Sequence, residues 1–334
     1  MKNFLKAWTV IFAVSVCVTA ASAEEQYVRP CGETVGIKLY TDGLLVVGVT
    51  DVEDVSGNKI SSARDSGIRA GDIILSADGH ALESNEELSE VAEASGGEVT
   101  LTVKRGENTK EVSVKPALTA EGPKLGLWVR DSTAGIGTVT YLSSDGSSYA
   151  ALGHGITDVD TGNILSLKSG NILSCSEISV RKSKKGDIGE LNCSFDGENI
   201  GSIELNAANG IYGFTNNNAS ELEEMRVMPI DEIAEGPASI MCDIDGCGVR
   251  EYAIEIKKVS HMSSADKTLV IEITDEELIE KTGGILQGMS GSPIIREGQF
   301  IGAVTHVFIN DPLKGFGIAG ELMLQNTEAL AAQH

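Results

Sequence analysis

The first part of the chain alternates apolar and polar positions in a pattern that predicts several short strands around one helix. The helix is predicted over residues 85–94, where the apolar positions have helical spacing and are followed by a pair of glycines. Ser84 and Glu87 form a capping box at its start, because each side chain can bond the backbone N–H of the other residue. The segments whose apolar runs or alternation predict strands are 37–39, 44–47, 99–103 and 111–114.

From residue 125 onward the pattern changes to short strands separated by glycine-containing turns, with little helical periodicity. This spacing is typical of an antiparallel barrel or sandwich. The chain has 38 glycines and only 4% aromatic residues, which favours a β-rich fold with many turns over a helical bundle. The predicted strands of this part are 125–129, 137–141, 188–195, 211–214, 252–256 and 269–273.

The N-terminus has the composition of an export signal. Lys2 and Lys6 accompany a run of apolar and small residues from 7 to 20, and residues 21–23, Ala-Ser-Ala, form a cleavage site before two glutamates. We therefore expect residues 1–23 to be a signal peptide, or a signal anchor where cleavage does not occur. The protein is expected to work outside the cytoplasm.

Charge and cysteine content exclude several classes of partner. The net charge of −23 argues against nucleic acid or an anionic membrane surface as the main partner. Removing Cys17 of the export segment from the six cysteines leaves an odd number, so at least one is free or pairs between molecules. The pairings Cys242–Cys247 and Cys175–Cys193 are both open. No histidine lies at ligand spacing near Cys242 and Cys247, and we expect neither a metal nor a cofactor.

Residues 35–116 resemble a PDZ domain, most specifically in the segment 66–74, which reads SGIRAGDII. The resemblance implies that an extended peptide adds to a sheet edge, with backbone N–H groups of a glycine-containing loop holding its terminal carboxylate. The same loop residues also fit a buried strand, and both interpretations can hold because one segment can supply loop and strand. By resemblance, the loop consists of Gly43, Leu44, Leu45 and Val46.

The strongest chemical signal is a serine between glycines in residues 288–293, GMSGSP. Serine is too small to fill a core, and the glycines weaken any regular element around it. A nucleophilic hydroxyl on a tight turn does need this arrangement, with backbone N–H groups aimed at a tetrahedral intermediate. Ser290 is therefore the predicted nucleophile, and the N–H groups of Gly288 and Ser290 form the predicted oxyanion hole. A plain Gly/Ser-rich hairpin turn is the alternative.

A serine nucleophile requires a base. His154 lies between two glycines after an apolar run, which presents a polar side chain where backbones approach closely. His306 falls in a predicted strand and fits a barrel interior. His154 is therefore the predicted general base, which takes the hydroxyl proton and returns it to the leaving amine. The other histidines, in turns, loops or at the terminus, are His80, His261 and His334.

With these residues assembled, nearly the whole chain resembles the sporulation stage IV B serine peptidase family of endospore-forming bacteria. The family's nucleophile and base fall on Ser290 and His154, and its proposed acid falls on Asp275. The resemblance implies an N-terminal PDZ domain, a linker over 117–124 and a chymotrypsin-like antiparallel double β-barrel over 125–330. The strings that carry it are 151–158, 209–213, 282–295 and 302–312.

The resemblance also implies a regulatory role for the peptidase. Family members act between the forespore and mother-cell membranes, where they cleave a membrane-bound inhibitor of an intramembrane protease that activates a late sigma factor. They also cleave themselves, and the PDZ domain is thought to govern self-recognition and substrate docking. The implied partners are that inhibitor and a PDZ-bound peptide or the protein's own N-terminal region.

The acid is the weakest member of the predicted triad. Asp275 precedes Ser290 closely in sequence, whereas the acid of chymotrypsin-type enzymes falls much earlier, between the barrels. Either the topology is altered or the orienting carboxylate is another one, such as Asp187 or Asp196. Asp275 also fits a helix N-cap, which would explain it structurally.

Two other functions stay open at the level of sequence. A processing peptidase with a Ser/Lys dyad would use Lys281 or Lys314 beside Ser290. A non-catalytic exported PDZ adaptor would keep the second domain as a scaffold only. The glycine settings of both Ser290 and His154 argue against the adaptor.

Overall fold

A computed structural model describes residues 25–194, 197–215, 221–261 and 267–332. The predicted export segment 1–23, Asp196 and His334 lie outside the described residues. The chain is mainly β, as predicted, with an N-terminal PDZ region and a β-rich peptidase region. Among the described residues, no helix has the length and apolar content that a membrane span requires.

The elements follow one another in chain order with short connections. The helices are α1 (Ser62–Asp65), α2 (Asn85–Ala94), α3 (Glu276–Thr282) and α4 (Gly320–Ala331). The strands up to residue 151 are β1 (Tyr27–Pro30), β2 (Thr34–Val49), β3 (Val52–Glu53), β4 (Lys59–Ile60), β5 (Ile73–Ala77), β6 (His80–Ala81), β7 (Val99–Arg105), β8 (Asn108–Val114), β9 (Ala117–Thr119), β10 (Gly122–Lys124), β11 (Leu127–Ser143) and β12 (Ser148–Ala151). The later strands are β13 (Leu167–Ser174), β14 (Ser176–Arg181), β15 (Glu190–Ser194), β16 (Asn199–Ala207), β17 (Gly210–Thr215), β18 (Met225–Arg226), β19 (Gly236–Cys242), β20 (Arg250–Val259), β21 (Leu269–Ile273), β22 (Pro293–Arg296), β23 (Gln299–Phe308) and β24 (Asp311–Ala319).

The C-terminal strands form a closed barrel in the order β19-β20-β21-β24-β23-β22. Alternate positions along these strands point inward and are buried, as the burial pattern of β21 shows. Closure leaves no free edge in this part of the sheet. The buried interior includes Ile240, Ile254, Ile271, Ile294 and Val304.

A second ring of six strands precedes this barrel. Antiparallel pairs join β2 to β11, β11 to β12, β12 to β17, β17 to β16, β16 to β13, and β13 back to β2. The two rings together confirm the expected double-barrel architecture. Its core includes Val35, Ile37, Val139, Tyr149 and Ile172.

The PDZ unit is inserted into one hairpin of the first ring. The first half of β2 and the second half of β11 belong to the ring, where Thr34 opposes Thr138 and Tyr40 opposes Ser132. The remaining halves continue into the PDZ unit, whose core contains the helix α2. The PDZ boundary predicted at residue 35 therefore falls inside a strand of the barrel itself.

Local predictions for the PDZ unit are largely confirmed. The hairpin β7–β8 forms where alternation predicted it, and helix α2 has the predicted bounds. Ser84 Oγ accepts the N–H of Glu87 at 3.2 Å, whereas the Glu87 carboxylate accepts the N–H of Glu83 at 2.6 Å. The separate strands expected on either side of a turn at 41–43 are wrong, because β2 runs through that segment as one strand. Residues 117–124, expected as a linker, form the hairpin β9–β10.

The cysteines divide into one bonded pair and free thiols. Cys175 and Cys193 form a disulfide between β14 and β15. Cys31 and Cys242 are buried thiols, and Cys247 is an exposed thiol, so the alternative pair Cys242–Cys247 does not form.

We expect thiol alkylation of the native protein at neutral pH to modify Cys247 but not Cys31 or Cys242. Burial raises the pKa of both Cys31 and Cys242 to about 12, so neither presents the reactive thiolate. Peptide mapping by mass spectrometry after a brief iodoacetamide pulse measures this, with urea-unfolded protein as the control in which all three react. Equal native rates at Cys242 and Cys247 would contradict the described packing.

Candidate active site

Ser290 lies on a tight turn directly before β22, with glycines on both sides. The φ angles of Gly288 and Gly291 are +96° and +99°, a region that L side chains rarely adopt. A Cβ at Gly291 would lie 2.1 Å from the carbonyl oxygen of Thr138, so only glycine fits. The motif therefore has the steric reason that its sequence suggested.

The turn is held by β11 of the first ring. The Thr138 N–H donates to the Ser290 carbonyl at 3.0 Å, and Thr138 Oγ1 donates to the Gly288 carbonyl at 2.9 Å. Within the described residues, the N–H groups of Gly288 and Ser290 donate to no acceptor in the chain. Both are therefore available for an oxyanion, as the prediction requires.

A hairpin from the opposite side also supports the turn. The Leu191 N–H donates to the Gln287 carbonyl, and the Gln287 N–H donates to the Gly189 carbonyl, each at 2.9 Å. Leu191 lies so close that a Cβ at Gly288 would be 3.0 Å from its own Cβ. The disulfide between β14 and β15 closes this hairpin at its far end.

His154 follows a γ-turn at the end of β12. Leu152 has a φ of +69°, and the Gly153 N–H donates to the Ala151 carbonyl at 2.9 Å. His154 Nδ1 lies 2.9 Å from the carbonyl oxygen of Gly155. A carbonyl can only accept, so Nδ1 carries the proton and Nε2 carries the lone pair that a general base needs.

Ser290 and His154 line the same cavity of about 390 Å³, to which both rings contribute. The Ser290 hydroxyl donates to the carbonyl oxygen of Thr305 at 2.7 Å, so attack requires it to exchange this acceptor for His154. None of the described lining residues is Asp, Glu, Lys or Arg, which suits an apolar substrate side chain. The apolar lining includes Ile136, Ile156, Ile285, Leu286 and Val307.

His306 also lines this cavity, although sequence reasoning placed it in a barrel interior. Its ring lies 4.8 Å from that of His154, centroid to centroid, with an angle of 39° between the planes. The strand β23 runs past the nucleophile, and Thr305 of that strand accepts the Ser290 hydroxyl. A pairing between strands of distant sequence position creates this contact, and no local motif signals it.

Asp275 is the N-cap of α3. Its Oδ1 accepts the Leu278 N–H at 2.9 Å, and its Oδ2 accepts the Ala253 N–H at 3.3 Å. Asp275 is not among the described residues that line the cavity, so its assignment as the acid stays a prediction. Of the alternatives, Asp187 pairs with Arg181 at the surface, 3.1 Å away.

The lysines of the alternative dyad have other partners. Lys281 Nζ lies 2.8 Å from Glu277 and 3.2 Å from Asp245. Lys314 Nζ lies 2.9 Å from Asp311. Neither lysine is among the described lining residues of the cavity, so the geometry offers no support for a Ser/Lys mechanism.

The predicted PDZ loop lies within β2. Gly43 has a φ of +83°, and a Cβ there would lie 2.7 Å from the carbonyl oxygen of Ile74. Leu44, Leu45 and Val46 are buried. The peptide-binding role of the loop stays a prediction.

Two antiparallel rings with a serine and a histidine at one shared cavity define a chymotrypsin-like serine peptidase. The profile of the SpoIVB peptidase S55 family matches residues 121–324, and a PDZ domain profile matches residues 34–115. The chain therefore belongs to the SpoIVB peptidase S55 family and is a serine endopeptidase. No curated protein matches the chain.

We expect Thr138→Val to lower kcat about tenfold, because the Gly288 carbonyl loses its hydrogen bond and the oxyanion turn loosens. Thr140→Val is the matched control. Thr140 is equally buried on the same strand, but its hydroxyl has no hydrogen-bond partner among the described residues. Hydrolysis kinetics and thermal unfolding of both variants measure the difference. Equal kinetic losses in the two variants would remove the special role of Thr138.

Proposed function

We propose that this serine endopeptidase is exported and cleaves a membrane-bound regulatory protein, and itself, to trigger late sigma-factor activation in sporulation. The family membership and the export-type N-terminus support this role. The proposed location is the space between the forespore and mother-cell membranes. The proposed substrate is an inhibitor of an intramembrane protease, and the PDZ unit docks peptide segments.

The observation that carries the catalytic part is the convergence of three functions on one cavity. His154 Nε2 takes the proton from the Ser290 hydroxyl as Oγ attacks the scissile carbonyl. The N–H groups of Gly288 and Ser290 donate to the oxyanion, and His154 returns the proton to the leaving amine. Water then hydrolyses the acyl-enzyme by the same steps.

We expect Ser290→Ala and His154→Ala each to reduce self-cleavage and peptide hydrolysis by about ten-thousandfold or more, since each removes a reacting group. His80→Ala is the control, because His80 lies exposed on β6 of the PDZ unit. Fragments of purified protein are followed by mass spectrometry over time. An unchanged fragment pattern in Ser290→Ala would refute the assignment of the nucleophile and favour the adaptor.

Substitutions at Asp275 separate capping from catalysis. We expect Asp275→Ala to lower the free energy of unfolding by about 1 kcal/mol, and Asp275→Asn to preserve it, because asparagine also caps helices. Chemical denaturation measures both. Hydrolysis by the stable Asn variant then tests the acid role: a large loss supports an orienting carboxylate, and full activity removes Asp275 from the triad.

A further inference from the structure

The edge of β2 at which a PDZ domain receives its peptide already carries a strand of this chain. In the PDZ half of β2, Val49 opposes Leu127, Val46 opposes Val129, and Leu45 opposes Arg130, all antiparallel. This is the mode in which a peptide adds to a sheet edge. The start of β11 therefore occupies the position of a ligand strand.

The apolar side chains of this segment complete the PDZ core. Leu125 is only 7% exposed and belongs to the same buried cluster as Leu88 and Ala92 of helix α2. Leu127 and Val129 pack against that cluster. Three apolar residues at alternate positions thus fill the groove between α2 and β2, as the two-residue period of a strand allows.

An acidic residue follows the apolar positions. The Asp131 carboxylate accepts the N–H of Asn85, the first residue of α2, at 3.2 Å. Thr41 Oγ1, next to the predicted carboxylate loop, donates to the Asp131 carbonyl at 3.0 Å. The segment therefore ends with a carboxylate on one side of the groove and a backbone carbonyl on the other.

We propose that residues 125–131 are a built-in ligand of the PDZ groove, and that a peptide from a partner docks only by displacing them. The fitting partner is an extended segment with apolar residues at alternate positions followed by a carboxylate. This deepens the docking role proposed for the PDZ unit and rests on it. It is independent of the chemistry of Ser290, so the two proposals fail separately.

Displacement would reach the catalytic turn through the same strand. Further along β11, Thr138 holds the carbonyl groups of Gly288 and Ser290. Groove and turn are thus two ends of one element.

The test uses the full chain with Ser290→Ala, so that the probe is not cleaved. The probe is a fluorescein-labelled peptide of residues 124–131, KLGLWVRD, and binding is measured by fluorescence anisotropy. We expect the double variant Leu127→Asp/Val129→Asp to bind it at least tenfold more tightly than the parent chain. Where that variant does not fold, Leu127→Ala/Val129→Ala makes the same comparison. Equal affinity of the parent and opened chains would overturn the proposal.

A disulfide lock provides the reverse test. Trp128 opposes Gly48, and a Cβ at Gly48 would lie 3.8 Å from the Trp128 Cβ, the separation found in disulfides. Trp128 is 64% exposed, so its replacement leaves the groove filled. We expect oxidised Gly48→Cys/Trp128→Cys to lose the binding that the parent shows at high peptide concentration, and reductant to restore it.

The single variants Gly48→Cys and Trp128→Cys receive the same reductant, because it also acts on the disulfide between Cys175 and Cys193. Undiminished peptide binding by the locked chain would place the docking site elsewhere and overturn the proposal.

Discussion

The hydrogen bonds from Thr138 to the nucleophile turn join the two barrels where catalysis needs them joined. Ser290 belongs to the second barrel and His154 to the first, so no local chain geometry fixes their separation. A misplacement of about 1 Å can cost a hundredfold in rate. The turn packs so tightly against β11 that Gly291 has no room for a side chain. The rest of the site depends on this contact between barrels.

The histidine side of the site is fixed by strained backbone. Leu152 has a positive φ of +69°, which is unusual for a residue with a branched side chain. Such conformations cost about 1–3 kcal/mol and persist only where the surroundings determine them. Here Gly153 packs against Thr305 and Ile318, where a Cβ would lie 2.9 Å and 3.1 Å from their methyl carbons. The strain positions His154 at the cavity that the other barrel completes.

Sequence reasoning succeeded where the signal is local. The capping box at Ser84, the hairpin of β7 and β8, and the glycine setting of Ser290 all depend on neighbouring residues. It failed where strands distant in sequence meet. The contact of His306 with His154 is of this kind. So is the insertion of the PDZ unit, because the pairing of Thr34 with Thr138 spans the whole insert and leaves no periodicity to read.

The insertion changes how a docking event can influence hydrolysis. A PDZ domain on a flexible linker would act mainly through effective concentration, which depends on linker length and not on internal geometry. In this chain two strands, β2 and β11, pass from the PDZ unit into the barrel and pair with each other in both parts. Any change in their pairing at Val129 must alter strain or order in the pairs beyond Asp131, because β-pairing is cooperative along a ladder. The strand that ends at the catalytic turn is therefore the shortest physical route between the two functions.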